Sequence, residues 1–162
     1  MPLPLTVTTP IDTTIQVRRE FNAPAELVFD CWTIPALITR WLGTLPGWKM
    51  TTCEFDARVG GKWRFVNSGP NGFEMGSGGV VKEIERPGRI VMTELYDQDW
   101  TGGETLITNV IEELAPKYSV STITILYSSR EARDGARATP MAEGMEAGFK
   151  TLDAFLAEKT AG

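Results

Sequence analysis

No histidine occurs among the 162 residues of this sequence. Histidine is the commonest general base near neutral pH and the commonest side-chain ligand of transition metals. Its absence excludes histidine-dependent catalytic triads, carboxylate–histidine zinc sites and the usual iron sites. We therefore expect no metal site and no cofactor, and no residue stands in a motif that demands catalysis.

Cysteine and positive charge are also scarce. Two cysteines, Cys31 and Cys53, make no disulfide framework, and both fall in apolar patterns, so we expect buried thiols in a reducing cytoplasm. The 16 basic and 21 acidic side chains leave a formal net charge of -5, which disfavours binding to a nucleic-acid backbone. No apolar run approaches the roughly 20 residues that a membrane span requires.

The N-terminal segment has little that predicts regular structure. Residues 1–13 contain three prolines and no basic region, so they resemble neither a secretion signal nor a transit peptide. We expect a flexible tail over residues 1–13, followed by a single domain over residues 14–159.

Alternation of apolar and polar residues predicts strands through most of the chain. Residues 14–21 alternate, and two short helices follow, the second from Pro35. Residues 48–127 show an almost continuous β pattern, with the clearest hairpin around Gly60-Gly61. Consecutive hairpins before a long helix predict an α+β domain, in which the helix covers a curved, mostly antiparallel sheet. The pattern leaves the inward register of the last two strands, residues 104–127, open because both of their faces carry apolar residues or threonine.

The stretch from about Thr139 to Lys159 predicts the long helix. Its apolar stripe recurs at spacings of three and four residues, with soft Met and Gly in the first half and Leu and Phe in the second. We hypothesise that the second half anchors the helix on the sheet and the first half covers an adaptable apolar space. The alternative is an ordinary core helix. Gly144 and Gly148 each cost about 1 kcal/mol of helix propensity relative to Ala, which predicts close packing as compensation. The stripe consists of Met141, Met145, Phe149, Leu152, Phe155 and Leu156.

Four segments together resemble the START-like, or SRPBCC, helix-grip superfamily, in particular its bacterial AHSA-type branch (activator of heat-shock-protein-ninety ATPase homologue). They are RREFNAPAELVFDCWTIPALITRWLG, EFDARVGGKWRF, GGVVKEIERPGRIVMTELY and SREARDGARATPMAEGMEAGFKTLDAFL. The resemblance covers nearly all of the chain after Thr13. It rests most on the Gly-Gly-Lys-Trp-Arg-Phe hairpin combined with the Arg-Asp, Met, Gly and Leu spacing of the last helix.

This resemblance implies a seven-stranded antiparallel sheet wrapped around the C-terminal helix, two small helices at one end, and a cavity between helix and sheet. Relatives include lipid carriers, hormone receptors, polyketide cyclases and a co-chaperone domain, so the fold does not fix one function. The first expectation is binding of a small hydrophobic or amphipathic molecule in the cavity. The second is an interaction domain that activates a chaperone ATPase. The third is a polyketide cyclase-like enzyme, whose candidate groups are Glu94, Arg19, Tyr96 and Tyr127.

The candidate cavity lining consists of aromatic and methionine side chains at inward positions. Ligand cavities are concave and mostly apolar, with a few polar groups that orient the ligand. The alternative is that the same side chains fill a solid core. The set comprises Trp41, Phe55, Trp63, Phe65, Met75, Met92, Tyr127, Met141, Met145 and Phe149.

Arg19 and Glu94 are charged residues at inward positions of alternating strands. A buried charge needs a partner, because leaving it unpaired is costly. We therefore predict that Arg19 and Glu94 form a polar pair in the cavity. The pair either orients a polar group of the ligand or serves as a structural bridge. Asn109 and Tyr127 are further candidates for hydrogen bonds to a ligand.

Overall fold

The computed structural model describes residues 2–161 and shows one antiparallel sheet, short helices and a long C-terminal helix. Eight strands lie in the order β1-β2-β8-β7-β6-β5-β4-β3. The strands are β1 (Thr6–Thr8), β2 (Thr14–Phe21), β3 (Lys49–Phe55), β4 (Lys62–Ser68), β5 (Glu74–Glu85), β6 (Arg89–Tyr96), β7 (Thr105–Ala115) and β8 (Tyr118–Leu126). The helices are α1 (Ala25–Thr33), α2 (Pro35–Ile38), α3 (Arg130–Arg137) and α4 (Met141–Thr160). Among residues 2–161, no helix is both long and apolar enough to cross a membrane.

The sheet has eight strands and not the seven that the resemblance implied. The additional strand, β1, lies inside the segment expected to be a tail and pairs with β2, with Val7 opposite Val17. Prolines at positions 4 and 10 flank β1, and proline is tolerated beside a strand that lies at the edge of a sheet. The segment before β1 also reaches the long helix, because the Leu5 N–H donates a hydrogen bond of 3.0 Å to Glu146 Oε1.

The strand register settles which residues of β7 and β8 face inward. Ile107 lies opposite Ile125, and Asn109 lies opposite Ile123. Ile123 in turn lies opposite Val17, a core residue of β2. Because side chains alternate along a strand, every second residue of both strands faces α4.

Helix α4 packs unequally along its length. The side chains of its C-terminal half, Phe149, Leu152, Phe155 and Leu156, are buried. Met141 and Met145 in its N-terminal half are only half-buried. At the junction, Phe149 stacks on Trp41 with ring centroids 6.0 Å apart. The C-terminal half of α4, with Leu and Phe, is therefore anchored in the core. The N-terminal half, with Met and Gly, is packed more loosely.

Helices α1 and α2 close one end of the sheet. Their buried side chains, which include Val28 and Ile38, face the core.

Ser129 caps the N-terminus of α3. Its Oγ accepts a 3.0 Å hydrogen bond from the Ala132 N–H, as is usual for a serine directly before a helix.

Candidate functional site

The inner face of the sheet is solid on one side. Ile15 and Val17 of β2 lie opposite Ile125 and Ile123 of β8, and all four are buried. These residues belong to the main core with the C-terminal half of α4.

The other side of the inner face is less completely covered. Phe55 of β3, Phe65 of β4, Met92 of β6 and Ile107 of β7 are all half-buried although they face inward. Inward-facing residues retain exposure only where the covering layer is incomplete. The sheet therefore offers a partly open apolar wall on β3–β7, which we call the open wall.

A row of polar groups lies at one end of the open wall. Glu94 on β6 is the Cα partner of Thr105 on β7. Tyr127 follows Leu126, which pairs with Leu106, so Tyr127 lies beside Thr105 on the inner face. We call Glu94, Thr105 and Tyr127 the polar row. The Tyr127 hydroxyl donates to the sulfur of Met141 at 3.9 Å, which places the first turn of α4 over this row.

The carboxyl group of Glu94 stands without a partner. Among residues 2–161 it makes neither a hydrogen bond nor an ion pair, and the Thr105 hydroxyl donates to the backbone oxygen of Glu94, at 3.3 Å. Burial raises the pKa of Glu94 to about 7, because no nearby cation offsets the cost of desolvating the charged form. Burial, and then the charge of Glu94, also raise the pKa of Tyr127, to about 12.

A narrow interior space of about 30 Å³ lies next to the polar row. That volume holds about one water molecule, whereas small-molecule sites occupy roughly 300–1,000 Å³. The indole Nε1 of Trp32 is buried there without a hydrogen-bond partner among the described residues. Asn109 accepts a 2.6 Å hydrogen bond from the Ser121 hydroxyl at its Oδ1. The lining residues are Trp32, Phe55, Ile90, Met92, Ile107, Asn109 and Ile123.

A wider depression of about 410 Å³ lies over β4 and β5 and opens to solvent. Its rim is charged, and its Arg64 guanidinium is already bound to Asp97 by hydrogen bonds of 2.7 and 2.6 Å. The indole of Trp63 is satisfied as well, since its Nε1 donates to the Thr93 carbonyl at 2.9 Å. This depression contains no unpaired buried group, so the open wall is the stronger candidate.

The predicted pairing of Arg19 with Glu94 is wrong. All five N–H groups of the buried Arg19 guanidinium are used by Glu146, Asp153 and the Glu20 carbonyl, at 2.8–3.1 Å. Glu146 and Asp153 are seven residues apart on α4, so they lie two turns apart on one face. Arg19 is therefore a structural bridge between β2 and α4, and it has no donor left for Glu94 or a ligand.

The candidate lining residues fall into separate groups. Phe55 and Met92 line the narrow space. Trp41 is 2% exposed, and its Nε1 donates to the Cys31 carbonyl at 2.8 Å, so it packs in the core with Phe149. Trp63 packs on Phe65, with ring centroids 4.8 Å apart. Tyr127 contacts Met141 as described above, and Met145 packs half-buried against the core. Met75 is 36% exposed at the start of β5 and lies outside the narrow space.

Four lining residues were missed from the sequence. Ile90 stands two positions before Met92 on the same strand, so strand alternation could have identified it. Ile107 and Ile123 belong to the hairpin whose register the pattern left open, so no signal singled them out. Trp32 lies on α1, and nothing in the sequence showed that its indole nitrogen would lack a partner.

Comparison with known proteins supports one assignment of fold and family. The model of the family described as "Activator of Hsp90 ATPase homolog 1-like protein" matches residues 22–157. A solved structure of a protein from Rhodobacter sphaeroides is similar over 96% of this chain and 99% of its own, with 36% identity and a TM-score of 0.91. A search of curated proteins finds no match.

More distant solved structures share the fold. A protein from Mycobacterium smegmatis is 22% identical, with a TM-score of 0.82, over 98% of this chain and 99% of its own. An AHSA1 protein from Silicibacter pomeroyi is 21% identical, with a TM-score of 0.71, over 90% of this chain and 99% of its own. At these identities the likeness shows the fold alone.

Proposed function

Because this chain belongs to the family of Activator of Hsp90 ATPase homolog 1-like proteins, whose fold is a ligand-binding scaffold, we propose that it binds a small molecule at the open wall. The ligand is hydrophobic or amphipathic, and it lies between the N-terminal half of α4 and strands β3–β7. The observation that carries this proposal is the incomplete cover over inward-facing apolar residues, beside a core that is otherwise solid.

The size of the interior space defines how binding occurs. A space of about 30 Å³ is too small for a ligand, so the start of α4, from Met141 to Met145, moves outward to admit one. The next residue, Glu146, is held by Arg19 and limits the movement to this segment. Met141 and Met145 suit this role, because unbranched thioether side chains repack at little cost. The C-terminal half, held by Phe149 and the buried residues that follow it, keeps the helix attached during the movement.

Glycine weakens the same half of α4. A Cβ atom added at Gly144 would meet nothing within 4 Å, so close packing does not require glycine there. At Gly148 a Cβ atom would make ordinary contact with Trp41 at 3.7 Å. The expected compensation by close packing is therefore absent at Gly144, and the lower helix propensity leaves this segment easier to displace.

Native mass spectrometry and thermal-shift measurements test this function. We expect a co-purifying small molecule, or a melting temperature that rises and saturates with one of a panel of neutral aromatic and polycyclic compounds. Met145→Trp should abolish that response by filling the space under α4, with a modest loss of stability. Lys150→Trp, which adds the same side chain at an exposed position of the same helix, should keep the response.

Two outcomes contradict the proposal. One is a bare protein mass with no thermal shift across the panel. The other is a large loss of stability in Met145→Trp combined with an unchanged ligand response, which would show that Met145 fills a solid core.

The family match also supports a second proposal, that the protein activates a chaperone ATPase. Its direct test is the ATPase rate of the Hsp90-type chaperone of the same organism as this protein is added. Saturable stimulation supports the proposal, and an unchanged rate at concentrations above that of the chaperone rejects it.

We also propose a cytoplasmic location. Cys31 and Cys53 are free, and burial raises the pKa of both thiols, that of Cys31 to about 12. Free, unreactive thiols suit a reducing compartment. Cell fractionation that finds the protein outside the cytoplasm would reject this assignment.

A further inference from the structure

We propose that the ligand of the open wall carries a basic amine or quaternary ammonium group, and that the Glu94 carboxylate is its counterion. This inference rests on the proposed function and adds the chemical class of the ligand. It is carried by an inward-facing carboxyl group that the protein leaves without a partner.

The strand register fixes the direction of the Glu94 side chain. Met92 and Ile90 precede it at alternate positions of β6, and both line the narrow interior space. Glu94 therefore points to the same side of the sheet, at the end of the open wall.

Three donors near Glu94 are engaged with other acceptors. Thr105 Oγ1 donates to the Glu94 backbone oxygen, and the Trp63 indole donates to the Thr93 carbonyl. The Tyr127 hydroxyl donates to Met141. Two arginines are buried, and both are engaged elsewhere: Arg19 by Glu146, Asp153 and the Glu20 carbonyl, and Arg133 by Asp134 and the Ile11 and Thr14 carbonyls. Within residues 2–161 the carboxylate consequently has no cation of its own.

The groups that face Glu94 from neighbouring elements are neutral. Strand β7 presents Thr105, strand β5 presents Ser77 at the position opposite Tyr96, and the first turn of α4 presents Met141. The titratable groups are Tyr96 and Tyr127, whose pKa values are both raised by burial and then by the charge of Glu94, so both stay neutral between pH 6 and 8. Glu94 is thus the only group of this set whose charge changes in that range.

An organic cation satisfies this arrangement better than other ligand classes. It supplies the opposite charge that a desolvated carboxylate lacks, whereas a fatty-acid carboxylate would place two like charges together. Tyr96 and Trp100, with ring centroids 5.2 Å apart, provide aromatic surface next to the site, and aromatic faces attract cations. The formal net charge of -5 also favours the approach of a cation over that of an anion.

Phenyltrimethylammonium and its neutral isostere tert-butylbenzene test the inference, because they differ in charge and hardly in shape. NMR titration of the ¹⁵N-labelled protein reports both the affinity and the amides that shift. With a pKa of about 7, Glu94 is about one tenth ionised at pH 6 and about nine tenths ionised at pH 8. We expect the cation to bind about tenfold more tightly at pH 8, with shifts at Glu94, Thr105 and Tyr127. The permanent charge of the probe ensures that only the protein titrates.

Glu94→Gln keeps the shape of the side chain and removes the charge. It should weaken cation binding at pH 8 at least tenfold and abolish its pH dependence, while tert-butylbenzene binds as before. Glu112→Gln, which makes the same charge change at an exposed position of β7, should leave both probes unaffected.

The outcomes separate this inference from the function on which it rests. The amine assignment is overturned, and the binding function stands, if tert-butylbenzene changes the NMR resonances of the open-wall amides but the cation does not. The same conclusion follows if the cation binds Glu94→Gln as tightly as the parent protein. If binding of the cation tightens toward pH 6, the Glu94 carboxylate is not its counterion and the assignment is again overturned. If neither probe shifts any amide of the open wall, both proposals fail.

Discussion

The stability of the protein without any ligand should depend on pH through Glu94, and Glu94→Gln should remove that dependence. Burial raises the pKa of Glu94 from 4.5 to about 7, so between these values the folded protein holds a proton that the unfolded chain releases. The folded state then binds more protons than the unfolded state, and the free energy of unfolding falls as pH rises. Above pH 7 the full cost of holding the half-buried, unpaired Glu94 carboxylate remains.

The magnitude follows from the two pKa values. Each tenfold difference in proton affinity is worth about 1.4 kcal/mol, so the cost approaches about 3 kcal/mol at pH 8 and is about 1.4 kcal/mol at pH 5.5. Glu94→Gln does not bear this cost. We expect the variant to be more stable than the parent at pH 8, and its advantage to shrink by about half at pH 5.5.

Urea denaturation at pH 5.5 and 8.0, both above the sequence pI of about 4.8, measures this difference. Glu112→Gln serves as the control for the change in net charge, because Glu112 is exposed on β7. The reasoning is refuted if the difference between Glu94→Gln and the parent protein is the same at both pH values. Such a result would mean that the carboxyl group is solvated in the folded protein.

Three further predictions test the packing, and one of them has a matched control variant. Arg19→Ala should cost about 3–5 kcal/mol of unfolding free energy, because it leaves the Glu146 and Asp153 carboxylates facing each other; a loss below about 1 kcal/mol would contradict the structural bridge. Gly79→Ala should cost about 2 kcal/mol or more, because the new Cβ would collide with the Thr93 carbonyl oxygen, whereas Gly135→Ala, with nothing within 4 Å, should be neutral or stabilising. Equal denaturation midpoints for these two variants would rule out the close approach of β5 and β6. Gly144→Ala should raise stability by about 0.5–1 kcal/mol in thermal or urea unfolding, and a decrease would show that Gly144 is needed for packing.

The sequence predicted the architecture well because the signals for it are local. Alternation defined the strands, and the stripe from Met141 to Leu156 defined α4 together with the different character of its two halves. Strand β1 escaped detection because three residues between prolines show no periodicity, and only pairing with β2 gives them a strand conformation. A strand of three residues is too short to be predicted from alternation, and such short strands are typical of sheet edges.

The candidate site was less predictable because it depends on contacts between distant residues. Alternation showed correctly that Arg19 points inward, but its partners Glu146 and Asp153 lie 127 and 134 positions away. Strand periodicity gives a direction and not a partner, and it does not show that β8 and β7 separate Arg19 on β2 from Glu94 on β6. The size of the interior space depends on how side chains interlock, and a filled core and an open wall use the same residue types.

The division of α4 into an anchored half and a loosely covered half also bears on protein engineering. Residues from Phe149 onward, with the Arg19 bridge beside them, hold the helix on the sheet without help from Met141 or Met145. Libraries confined to Met141, Met145 and the open wall would thus vary the proposed binding surface while the framework keeps its stability. A chain that separates these two tasks along one helix is a suitable starting scaffold for a small-molecule biosensor.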